Sequence, residues 1–124
     1  MRILLVTTRL ETIRSFAEAL SADSQVHLDR ASSGAEALNA VRASSPDLVV
    51  IDWKLPDTEP LGLVSELLME NAMVNTAVIS RLSEEEFHEA AEGLGVLARL
   101  PVEPDTDDAA ELLDRLRKVI GPIR

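Results

Sequence analysis

Apolar runs rich in branched residues end in polar groups at three places in this chain. Asp52 follows Leu48-Val49-Val50-Ile51, Ser80 follows Ala77-Val78-Ile79, and Thr7 and Thr8 follow Ile3-Leu4-Leu5-Val6. A carboxylate in such a position can accept hydrogen bonds or balance a cation, and a hydroxyl can take either side of a hydrogen bond. Lys54 lies two residues past Asp52 and Arg81 directly follows Ser80, which supplies positive charge beside both. Other chemistry is excluded at once. Cysteine is absent, so there are no disulfides, thiolate metal sites or cysteine nucleophiles. His27 and His88 stand alone, outside any metal or phosphotransfer constellation, and read as surface or boundary residues. No glycine-rich phosphate loop follows the first apolar run.

The elements that must position these groups alternate along the chain. Runs without polar alternation are produced by strands covered on both faces, so the three runs above and Val96-Leu97 read as buried strands. Val26-His27-Leu28 alternates and suits an edge. Helical periods lie between them: Leu10, Ile13, Phe16, Ala17 and Leu20; Ala37, Leu38 and Val41; Leu61, Val64, Leu67 and Leu68; Phe87, Ala90, Ala91 and Leu94. The last stripe is Leu112, Leu113, Leu116, Val119 and Ile120, with Asp107 and Asp108 early, Arg115 to Lys118 late and Gly121-Pro122 as the stop. Capping boxes are predicted for Thr8 with Glu11, Ser33 with Glu36 and Ser83 with Glu86. Five strand–helix alternations joined by right-handed crossovers give an α/β fold with a doubly wound parallel sheet. Its crevice lies beyond the carboxyl ends of the central strands, where Thr7, Thr8, Asp52, Trp53, Lys54, Ser80, Arg81 and Leu100 gather.

Length and charge narrow the function classes. The 124 residues fit one domain, 1–124, with a substantial core. Hydrophobic residues make up 46% of the chain but never form the uninterrupted run of ~20 that a bilayer requires. The first residues, Met1 to Val6, do not resemble a cleaved leader, so a cytoplasmic location is expected. Twelve Lys plus Arg against 22 Asp plus Glu give a net charge of -10, which disfavours nucleic acid as a partner. Aromatics are 2% of the chain, too few to stack single-stranded bases. A protein partner is the expectation.

Ala31-Ser32-Ser33-Gly34-Ala35-Glu36-Ala37-Leu38, Pro46-Asp47-Leu48-Val49-Val50-Ile51-Asp52 and Trp53-Lys54-Leu55-Pro56-Asp57 resemble the receiver domains of two-component response regulators. The resemblance runs from Met1 to Ile120. It implies a five-stranded parallel sheet of order 2-1-3-4-5 with five helices in three α/β/α layers. It also implies that Asp52 is the phosphoacceptor, that Ser80 is the switch hydroxyl, and that Pro101 matches the proline after the family's lysine, often with a cis peptide bond before it. The family gathers magnesium on a pair of acidic residues and the acceptor, and neutralises the phosphoryl oxygens with metal and lysine.

Measured against that pattern, Thr7 and Thr8 stand at the acidic-pair positions and Leu100 at the lysine position. Pro60 replaces a glycine, though proline suits a first helical position. Leu97 lies where a Tyr or Phe switch is usual. No cofactor is expected; magnesium would enter only as a weak ligand at Asp52. Arg9, Lys54 and Arg81 are candidate substitutes for the missing positive charge, with Arg81 favoured as the partner of Asp52 and Lys54 expected to extend into solvent. The expected function is that of an atypical stand-alone receiver. It would act in intracellular signal transduction through protein–protein contacts, without conventional magnesium-dependent phosphorylation, and would not be an enzyme. The alternative is a working response regulator phosphorylated on Asp52 by a histidine kinase. The resemblance places the partner surface on the fourth helix, fifth strand and fifth helix, with Leu94, Val96, Arg99, Val102 and Glu103. It would serve a kinase, another protein or a homodimer.

Overall fold

A computed structural model describes residues 1–121, so Pro122 of the expected terminal stop lies outside the described residues. Five strands and five helices alternate: β1 (Arg2–Val6), α1 (Arg14–Ala22), β2 (His27–Ala31), α2 (Gly34–Ser44), β3 (Leu48–Ile51), α3 (Pro60–Glu70), β4 (Asn75–Ile79), α4 (Glu84–Ala90), β5 (Ala98–Leu100) and α5 (Thr106–Ile120). The strands form one parallel sheet of order β2-β1-β3-β4-β5.

Each central strand sends alternate residues to opposite faces, and both faces are covered. Ile3, Leu5, Leu48, Val50, Ala77 and Ile79 pack with Phe16 and Leu20 of α1 and Leu112 and Leu116 of α5. Leu4, Val6, Val49, Ile51 and Val78 pack on the other face with α2, α3 and α4 through Val41, Leu63, Leu67 and Phe87. This two-sided burial is why β1, β3 and β4 read as unbroken apolar runs. Edge strand β2 is largely exposed before Ala31, in keeping with its mixed sequence. Val119, expected on the α5 stripe, is exposed.

Several boundaries differ from those read in the sequence: α4 ends at Ala90, before Ala91 and Leu94 of the expected stripe, and β2 spans His27–Ala31 rather than Val26-His27-Leu28. Strand β5 begins at Ala98 rather than comprising Val96-Leu97. It is an edge strand whose buried residues, Ala98 and Leu100, flank the half-buried Arg99, and that charge interrupts the apolar signal. Helix α1 begins at Arg14, not behind a Thr8–Glu11 capping box. The Thr8 hydroxyl instead donates to the Lys54 carbonyl oxygen at 3.4 Å, and residues 10–13 form a turn in which the Thr12 and Ile13 N–H groups donate to the Arg9 carbonyl.

The other caps divide three ways. Ser83 and Glu86 make the full reciprocal box at the start of α4. Ser33 accepts from the Glu36 N–H, but the Glu36 carboxylate bonds to Ser32, one residue earlier. Helix α5 opens with a reciprocal Asp105–Asp108 box, unseen in the sequence because aspartates fill both roles usually taken by Ser or Thr and Glu.

Candidate functional site

Registers Val6↔Ile51, Ile51↔Val78 and Ile79↔Leu100 bring the carboxyl ends of β1, β3, β4 and β5 nearly level. The strand order reverses between β1 and β3, which places the crevice above their ends. Asp52 stands there, its N–H donating to the Val6 carbonyl at 2.9 Å and continuing the β1–β3 ladder by one bond. Its side chain is fully buried.

A buried carboxylate requires neutralisation and several donors, and Asp52 has both. The Arg9 guanidinium meets it as a fork, Nε to Oδ2 at 2.9 Å and Nη2 to Oδ1 at 2.7 Å. The Thr7 hydroxyl donates to Oδ2 at 2.7 Å and the Trp53 backbone N–H to Oδ1 at 2.8 Å. Each oxygen therefore accepts two hydrogen bonds, which fills the lone-pair directions of the group. Arg9 is held in turn: its backbone N–H donates to Thr7 Oγ1 at 2.9 Å, and Nη2 donates to the Val102 carbonyl at 2.9 Å. One guanidinium thus ties the loop after β1 to the end of β3 and to the loop after β5.

The remaining predicted residues take other places. Arg81, expected to pair with Asp52, lies over the Trp53 ring with its Cζ 4.9 Å from the ring centroid, while Arg9 stands 5.6 Å from the same centroid. Attraction to the π cloud explains the choice, because Asp52 is already satisfied by Arg9. Lys54 is exposed and reaches the site only through its carbonyl oxygen, which accepts from Thr8. Leu100 is buried in the core, and its carbonyl accepts from the Ser80 N–H. Ser80 is buried and its Oγ accepts from the Leu82 N–H at 3.1 Å. The peptide bond before Pro101 is trans.

An additional clamp holds the loop that follows Asp52. The Asp57 carboxylate accepts from the N–H groups of Gly34 at 2.8 Å and Ala35 at 3.0 Å, capping the first turn of α2 across the fold. Those backbone hydrogen bonds, Gly34 first, hold the Asp57 carboxyl below its usual pKa. A Cβ on Gly34 would stand 2.7 Å from Thr58 Cγ2, so the close approach requires glycine. In the sequence, Asp57 is visible only as part of a motif, since its partner lies on another element.

Magnesium does not fit this donor set. Among the described residues Asp52 is the one carboxylate directly after the carboxyl end of a strand, its lone pairs are taken by Thr7, Arg9 and Trp53, and a guanidinium stands beside it. Among the described residues no group of three or more His, Asp or Glu side chains converges elsewhere to hold a metal. Magnesium sites usually combine carboxylates with retained water, which a saturated, cation-paired carboxylate does not offer.

The doubly wound 2-1-3-4-5 sheet with an aspartate at the end of β3 defines a receiver. Residues 3–117 match the response regulator receiver domain family, and the chain belongs to that family. It is 28% identical over 83 residues to the DNA-binding transcriptional regulator NtrC of Klebsiella pneumoniae, an alignment covering 67% of this chain and 18% of that protein. The chain thus corresponds to a minor part of that relative. Among solved structures, the N-terminal domain of an uncharacterized Wolinella succinogenes protein is similar with a TM-score of 0.81 and 22% identity, over 97% of this chain and 96% of that one. The chemotaxis response regulator CheY4 of Vibrio cholerae is similar with a TM-score of 0.81 and 16% identity, over 93% and 97% of the two chains. Receivers are signalling domains rather than typical enzymes, and they work through protein contacts. No helix among the described residues is long and apolar enough to cross a membrane.

Proposed function

We propose that this receiver signals without conventional magnesium-dependent phosphorylation, as a protein-interaction module whose acceptor site is closed by its own arginine. The observation that carries this reading is the Arg9 fork on Asp52. Two charge-assisted hydrogen bonds, with Thr7 and the Trp53 N–H beside them, occupy every acceptor position of a buried carboxylate. A phosphodonor must approach one of those oxygens, so a hydrogen bond from Arg9, Thr7 or the Trp53 N–H must first break. Neutral Thr7, Thr8 and Leu100 remove the side chains that would gather a metal or stabilise a phosphoryl oxygen. The partner surface on this reading is α4, β5 and α5, offered to another protein, including a kinase, or to a second copy.

Trp53 is the only tryptophan and directly follows Asp52, so its fluorescence reports on the site. Titration with magnesium and beryllofluoride, a phosphoryl mimic, is expected to leave the emission flat. Saturable, magnesium-dependent quenching that disappears in Asp52→Asn would establish the competing reading, a response regulator phosphorylated at Asp52.

A further inference from the structure

Beside the closed carboxylate lies a cleft of about 280 Å³ between the loops that follow β3 and β4. Pro60, Leu61, Leu82 and Phe87 supply much of its apolar lining, and Trp53, Ser80 and Arg81 supply its donors. Three hydrogen-bonding groups here have no acceptor among the described residues. Arg81 makes no ion pair among the described residues, and its Cζ lies 4.9 Å from the centroid of the Trp53 ring. The Ser80 hydroxyl accepts from Leu82 and retains its proton for donation. The Trp53 Nε1–H is buried without a partner. A buried indole N–H ordinarily finds an acceptor, and leaving it unmet costs free energy.

The contact with the Trp53 ring, 4.9 Å from the Arg81 Cζ to the centroid, restrains the exposed Arg81 side chain, which lowers the ordering cost of binding an anion. The site stands out in a chain of net charge -10, with Glu59 as the one carboxylate in the lining. We infer that the Trp53–Ser80–Arg81 cleft is a binding site for a small free organic acid: a carboxylate held by Arg81 and Ser80, carried on a compact apolar body that fills the space against Phe87 and Leu61. Its volume lies just under the range of roughly 300–1,000 Å³ typical of small-molecule pockets, which suits such a ligand and not a nucleotide. Occupation would join the loops after β3 and β4 without using Asp52.

The test follows the indole N–H resonance of Trp53 in ¹H–¹⁵N spectra, a single signal because the chain has one tryptophan. Acetate, butyrate and benzoate are titrated at constant ionic strength and pH 7, with benzamide and inorganic phosphate as controls. Saturable shifts that tighten from acetate to benzoate are expected, with benzamide and phosphate at least tenfold weaker than benzoate. Arg81 is exposed, so Arg81→Met should fold normally and bind benzoate at least tenfold more weakly. The proposal is overturned by the absence of a saturable shift with all three carboxylates, by equal binding of benzamide or phosphate, or by unchanged benzoate affinity in Arg81→Met.

Discussion

Arg9 and Asp52 form a bidentate pair at 2.7 and 2.9 Å in which the carboxylate is fully buried and the arginine side chain is 16% exposed. The pair spans the β1–β3 switch point and, through Val102, reaches the loop after β5. In a receiver with an acidic pair, a metal and a lysine, charge balance at the acceptor comes from several separate groups. Here one side chain provides it.

Removing that side chain should therefore be costly. Arg9→Met leaves Asp52 buried with Thr7 and one backbone N–H as its remaining donors, and breaking a buried pair from one side typically costs about 3–5 kcal/mol. Urea denaturation should show a loss in that range. Adding Asp52→Asn to Arg9→Met should restore much of it, because a neutral amide does not require a counter-charge. A loss below about 1 kcal/mol for Arg9→Met would mean that water replaces the guanidinium at little cost.

Gly34 is the second sensitive position. Its substitution by alanine drives a Cβ to 2.7 Å from Thr58 Cγ2 and 3.3 Å from Asp57 Oδ1. Overpacking of this kind costs about 1–3 kcal/mol. Thr58→Ser removes the offending methyl, so the Gly34→Ala, Thr58→Ser pair should recover most of the loss in thermal or urea unfolding. If the two substitutions simply add, the contact with Thr58 is not the cause.

The caps predict the acid limb of the stability curve. Backbone hydrogen bonds from Gly34 and Ala35 lower the Asp57 pKa, those from Ser83 lower that of Glu86, and those from Asp108 lower that of Asp105. A group whose folded pKa lies below its unfolded value binds fewer protons when folded, so its contribution is complete above the unfolded pKa and disappears as pH falls through the folded one. With ordinary values of 3.8 for aspartate and 4.5 for glutamate, stability should be level with respect to these groups above about pH 5 and should decline below it. Asp57→Asn should flatten part of that decline in urea unfolding measured from pH 7 to pH 3.

The fold was legible because β1, β3 and β4 are buried on both faces, and unbroken runs such as Leu48 to Ile51 have few other interpretations. Edge strand β5 is hard to place from sequence because Arg99 splits its two buried residues. Thr8 has the sequence pattern of a helix cap with Glu11, yet the chain uses residues 10–13 as a turn that leaves Arg9 at the crevice. The partner of Asp52 is harder to read from sequence. Arg9 and Arg81 both follow strands adjacent to β3, and spacing alone does not separate them. One signal is present: with Thr7, Thr8 and Leu100 all neutral, Asp52 needs a counter-charge, and Arg9 directly follows the Thr7-Thr8 pair. What decides between the arginines is three-dimensional, because Trp53 offers its ring to Arg81 while Thr7 holds the backbone of Arg9.

Thr7→Asp tests the electrostatic logic of the site most directly. The Thr7 hydroxyl now donates to Asp52 Oδ2 at 2.7 Å, and a carboxylate in its place would put two like charges within hydrogen-bonding range under a single Arg9. One of the two should then have a raised pKa, as in other paired carboxylates. By the same linkage, a raised folded pKa reverses the sign: the variant should be less stable than the parent at pH 7 and gain stability as pH falls toward the raised value, where the parent is level. The second carboxylate also supplies a ligand that the parent lacks, so millimolar magnesium should raise the midpoint of the variant at pH 7 and leave that of the parent unchanged. Thermal unfolding across pH 5 to 8, with and without magnesium, reads both effects. If Thr7→Asp is as stable as the parent and indifferent to acid, the two carboxylates do not share the space that the Thr7–Asp52 hydrogen bond defines; if the parent responds to magnesium as the variant does, the Arg9 fork does not close the site.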